Sequence, residues 1–161
     1  MKKSIISILV FVIILTSFNF GSTVEGLYRE KSYYDWVTKD GCNWYVVGPW
    51  DFSYNCLGYA LDEPGGHPPT WDWPWGGANP TDDQMTEYLG YFGYEVYQGS
   101  YPDLITYDYP DDRSKVCHIA KRTAVDNIIS KWGKLELIRN DDLDPFYPYG
   151  EYGRMRSMYK K

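Results

Sequence analysis

Between Val116 and Lys131 the chain is written to fold back on itself. Val116 to Thr123 is strand-forming, Asp126-Asn127 is a turn signal, and Ile128 to Lys131 returns as the second arm of a hairpin. That hairpin points to an antiparallel sheet. Further strand candidates are Asn43 to Val47, stopped by Gly48-Pro49, then Gly93 to Tyr97, Leu104 to Tyr107 and Tyr152 to Tyr159. Leu135 to Ile138 reads as a short helix or a strand. Cys56 to Leu61 reads as a short helix, weakened by Gly58. Thr81 with Gln84 three residues on forms a capping-box signature, and Met85, Tyr88, Leu89 and Phe92 follow at helical spacing. Helices followed by antiparallel strands make an α+β domain.

The N-terminus has the layout of a secretory signal. Lys2 and Lys3 precede an apolar run from Ile5 to Leu15, and Gly21, Ser22 and Thr23 offer a cleavage region. The apolar run is short for a membrane span, which takes about 20 residues; an uncleaved anchor is the alternative. The expected division is residues 1–23 as signal peptide and 24–161 as a single domain, secreted or held in the cell envelope, without stable membrane association after cleavage. The formal net charge is −6, and loss of Lys2 and Lys3 makes it more negative still. An acidic chain without a basic cluster has no footprint for nucleic acid. Of Cys42, Cys56 and Cys117, either Cys42 and Cys117 pair and leave Cys56 free, or all three are thiols. Alternation along a strand puts Cys117 and His118 on opposite faces.

The chemistry centres on Cys56. A thiol in the first turn of a helix meets unpaired N–H groups that favour the thiolate. Acyl transfer by a thiol also needs an imidazole to exchange its proton and a group to hold that imidazole. His118 is the candidate for the first. Ser130, twelve residues later across the hairpin, is the candidate for the second, with Asp126 and Asn127 as alternatives. Oxyanion donors would be the Cys56 N–H and one side chain, Asn55 or Tyr45. Trp71 and Trp73, in a loop from Glu63 to Gly77 expected to pass beside the Cys56 end, either line a groove that binds substrate or cover the core. His67, in the same loop, reads as solvated. No metal is expected, because neither a CxxC nor an HxxxH spacing occurs, and no cofactor is expected.

Tyr54-Asn55-Cys56, Ala60, the Trp-and-Pro segment, Gly93-Tyr94-Glu95, His118-Ile119-Ala120 and Ser130-Lys131-Trp132-Gly133 occur in that order. The pattern resembles a family of uncharacterised bacterial domains, over about Tyr45 to Tyr159, and that family resembles papain-like, NlpC-type cysteine hydrolases. Asp62 stands where the family has glycine after the short helix. The resemblance implies a papain-like core, with a nucleophile-bearing helix packed on a small antiparallel sheet. It also implies Ser130 as the third residue, at the position where such enzymes carry His, Asn or Gln. The expected function is a secreted cysteine hydrolase of amide or peptide bonds, with peptide or cell-wall peptide as substrate. Two alternatives stand beside it: a non-catalytic binding module using an aromatic groove, and a secreted effector with deamidase or transamidase chemistry.

Overall fold

The computed structural model describes residues 26–61, 73–148 and 150–161. The expected signal peptide, His67 and Trp71 lie outside them. In chain order the elements are α1 (Lys31–Val37), β1 (Trp44–Gly48), α2 (Cys56–Leu61), α3 (Asp82–Gly90), β2 (Glu95–Val96), β3 (Leu104–Tyr109), β4 (Asp112–Ala124), β5 (Asn127–Lys131), β6 (Leu137–Asn140) and β7 (Met155–Lys160). All strands join one antiparallel sheet in the order β1-β6-β5-β4-β3-β7-β2. Its centre is a meander, β3 to β6, in which each strand pairs with the next in sequence. The β4–β5 turn is tight because Ala124 and Asn127 pair across it.

Neighbouring residues on one strand divide the core between the two faces. Leu104 and Ile119 pack with Leu57, Ala60, Met85 and Leu89, so α2 and α3 cover one face. Ile105 and Ala120 pack with Tyr34, Val37, Trp132, Phe146 and Tyr152, so α1 and the segments after β5 and β6 cover the other. The capping box forms: the Thr81 hydroxyl accepts from the Gln84 N–H at 3.2 Å, and the Gln84 side chain accepts from the Thr81 N–H at 2.9 Å. Gly133 turns the chain after β5 with a φ of +56°, a left-handed value that suits glycine.

This is not the papain-like α+β core that the resemblance implied. Seven antiparallel strands dominate, and the described helices have only 7, 6 and 9 residues. The helix carrying Cys56 is less than two turns long. Its own sequence explains this: Gly58 weakens it, and Glu63-Pro64-Gly65-Gly66 follows its end. The cysteines settle as three thiols without a disulfide. The expected alternation at Cys117 also fails. Tyr107 pairs with His118 and Asp108 with Val116, so Cys117 is the extra residue of a bulge. It packs against the same cluster as the rings around His118, and its thiol donates to the Asp108 carbonyl at 3.0 Å.

Candidate functional site

Cys56 opens α2, and Asn55 caps it. The Asn55 Oδ1 accepts from the N–H groups of Leu57 and Gly58 at 2.9 and 3.0 Å. That oxygen is therefore spent on the helix end rather than offered to a substrate. The thiol is 5% exposed. Burial pushes it up from 9.0 to about 11, against the opposing pull of the Ile119, Leu57 and Cys56 N–H groups and the Lys131 ammonium. Cys56 thus reaches β4 at Ile119, the residue after His118.

The His118 ring lies among other rings. It stacks on Tyr152 with centroids 3.9 Å apart and meets Phe146 at 5.5 Å and Tyr107 at 5.8 Å. Burial pushes it down from 6.5 to about 3. Ser130 sits opposite Ile138, in the register that places its side chain on the face of Ile128 and Ile138. The Nε2 of His118 and the Oγ of Ser130 are both buried and have no hydrogen-bond partner. Cys56 packs in the cluster on the α2/α3 face, whereas the rings around His118 and the face of Ser130 belong to the opposite cluster, so the three do not form a hydrogen-bonded chain. An imidazole at about 3 does not draw a proton from a thiol at about 11.

Lys131, next to Ser130, is buried in a cage of carbonyls. Its Nζ donates to Asp51 and Gly133 at 2.8 Å each, donates also to Leu135, and lies 5.3 Å from the Tyr54 ring centroid. Burial lowers it from 10.5 to about 8. It ties Asp51 and Tyr54 to the end of β5. Trp73 is half-buried; it meets Trp75 at 6.0 Å, and both pack against the α2/α3 cluster. Among the described residues no group of three His, Cys, Asp or Glu side chains is placed to hold a metal ion.

The open site lies elsewhere. A cavity of about 730 Å³ runs between α1 and β1. Trp44 forms one wall; it stacks on Tyr34 at 4.9 Å and its Nε1 donates to Asp35 at 2.9 Å. Lys31 pairs with Asp35 at 2.6 Å and lies 5.6 Å from the Trp44 ring centroid. Glu136 is buried at the base, where its carboxylate accepts from the Tyr28 N–H at 2.6 Å and from the Tyr34 hydroxyl. Of the lining residues, Trp50 touches Tyr28 and Phe52; the three centroids lie 5.4–5.8 Å apart, yet each ring stays 45–46% exposed. Exposed rings in contact, beside a cavity with a few fixed polar groups, make this the candidate site.

Sequence reasoning missed this site. It assigned no site residue to positions 24–42. One signal was present, the density of aromatic residues from Tyr28 to Tyr54. Tyr45, considered for an oxyanion hole, lines the cavity with the Arg139 guanidinium 4.4 Å from its ring centroid.

No characterised protein and no solved structure matches the chain. Residues 45–160 match a family described as a domain of unknown function, DUF7689, and that match carries no link to papain-like or NlpC-type hydrolases. The matched span runs from β1 through β7, so α1 and the wall it gives the cavity precede it. With most of its length covered by that one family, the chain belongs to the DUF7689 domain family.

Proposed function

We propose that the protein is an extracytoplasmic binding module whose site is the cavity between α1 and β1. The observation that carries this reading is the half-exposed cluster of Tyr28, Trp50 and Phe52, which joins a cavity of about 730 Å³ through Trp50. Large rings left in water cost free energy that a ligand recovers by covering them. The wall is already ordered by the Lys31–Asp35–Trp44 contacts, so binding loses little side-chain entropy. Export is part of the proposal and rests on the Lys2-Lys3 and Ile5 to Leu15 leader. The ligand is peptide or glycan material outside the cytoplasm. Calorimetric titration of the mature chain with soluble peptide and glycan fragments of cell wall tests this. Saturable binding is expected, and its absence with both fragment classes contradicts the reading.

A second reading, a thiol hydrolase using Cys56, is favoured by the three backbone N–H groups around its sulfur. The measurement that separates the two is alkylation of the folded protein by iodoacetamide near neutral pH. The binding-module reading expects Cys56 to react more slowly than free cysteine. Faster reaction supports the hydrolase.

A further inference from the structure

We infer that the free edge of β1 takes an extended peptide from another protein as an added strand, one side chain of which enters the adjoining cavity; this rests on the binding-module reading above. Two independent features of the molecule meet there, an unpaired backbone edge and an unpaired buried hydroxyl.

The edge comes first. Among the described residues, β1 is the terminal strand of the sheet and pairs only with β6. Among the described residues, no backbone group of Trp44 to Gly48 has a partner on the far side. Tyr45, Val46 and Val47 are 42–45% exposed. Edges are ordinarily protected by charge, proline or shortness. The opposite edge, β2, is protected by being two residues long. β1 carries no charged residue, and its irregularity comes only after Val46, with Pro49 beyond it. Trp44 to Val46 is thus a short, regular, apolar stretch open to pairing, and these same three residues line the cavity. A peptide laid along them would direct alternate side chains towards it.

The hydroxyl is that of Thr38. It lies on the cavity wall, in a residue 4% exposed, and its Oγ1 has no hydrogen-bond partner. A buried polar atom of this kind is costly unless something bonds to it. A ligand group entering the cavity would do so.

Charge selects the peptide. The cavity presents Asp35, Asp40 and Glu136 against Lys31 and Lys39. Lys31 is committed to Asp35, and Lys39 lies within 4 Å of Asp142 and Asp144. Glu136 is taken up by the Tyr28 N–H and the Tyr34 hydroxyl and acts on Lys131. Among the described residues, however, Asp40 has no ion-pair partner, and the lining keeps one more carboxylate than ammonium, which favours neutral or basic peptide residues. A second copy of this acidic chain would bring the same carboxylates face to face, so the occupant is a different protein. A glycan fits less well. The rings of Tyr28, Trp50 and Phe52 are inclined to one another by 41°, 54° and 85°, so they share no plane on which a sugar could lie.

The test is to pan a random-peptide phage library against the full mature chain and to synthesise the selected peptides. Each is made plain and with N-methyl groups on alternate residues, in both registers. Only one register places N–H groups towards β1. The expected result is a loss of roughly tenfold or more in affinity for N-methylation in one register and little change in the other. Thr38→Val, which keeps the side-chain shape, should weaken the plain peptides a few-fold. Equal tolerance of both registers overturns strand addition and leaves the binding module standing. Binding of soluble wall glycan with no selected peptide does the same. Failure of peptide and glycan alike overturns both proposals.

Discussion

Two regions of this molecule use similar residue types for opposite ends. Around the middle of β4, Cys56, His118 and Ser130 are enclosed, and the thiol and imidazole are held neutral by burial. Around β1, Tyr28, Trp50 and Phe52 are held in contact but left half in water. The first region contains the side chains that usually carry chemistry; the second contains the surface that a ligand can reach. The contrast teaches that reactive residue types do not make a site. Exposure and proton affinity decide whether a thiol and an imidazole act on a substrate or pack as core.

Perturbing the enclosed region should give the largest effects, and they should appear in stability. Trp132 is fully buried against Tyr34, Phe146 and Tyr152. Trp132→Ala should cost about 3–5 kcal/mol in urea unfolding. A loss under about 1 kcal/mol would mean that this face is loosely packed.

Acid should come next. His118 is held at about 3 when folded, below its ordinary 6.5, so between those pH values the unfolded chain binds a proton that the folded chain refuses. The stability of the neutral ring is complete above pH 6.5 and is lost as pH falls towards 3. The slope due to this ring approaches about 1.4 kcal/mol per pH unit. His118→Phe should remove that part of the acid limb in parallel unfolding curves. Identical acid limbs would mean that the ring is solvated, which would blur the distinction between the two regions.

A smaller effect is expected at the helix cap. Asn55→Ala removes the acceptor for two N–H groups and should cost about 1 kcal/mol, read as a shift in urea midpoint. Ligand binding should not change. If binding falls while the midpoint holds, Asn55 contacts ligand and the substrate-binding role expected from sequence is restored.

Local signals in the sequence were legible where the structure is local. The Thr81–Gln84 capping box, the turn near Asp126 and the extent of the Cys56 helix all depend on neighbours a few residues apart. The Cys117 bulge was not legible, because the period of two has no mark for an extra residue. α1 was missed because only Tyr34 and Val37 of its seven residues are buried, too few for a helical period. The strand expected at Gly93 to Tyr97 shrank to Glu95–Val96, where only two residues pair with β7. The cavity was the least legible feature. The Tyr28 N–H bonds to Glu136 across 108 positions, and the lining gathers residues from both sides of β1. Nor was the enclosure of Cys56, His118 and Ser130 legible, because sequence does not state how deeply a residue is buried.

The smallest change in stability should accompany the largest change in binding, and this is the most direct test of the account. Wild type, Trp50→Ala and Cys56→Ala are titrated side by side with the best-binding fragment, and their melting temperatures are recorded. Trp50→Ala should melt almost as wild type but bind roughly tenfold or more weakly. Cys56→Ala should bind as wild type while losing about 1 kcal/mol of stability for the buried sulfur. Binding that survives Trp50→Ala and disappears with Cys56→Ala would contradict the account and place the working site at the thiol.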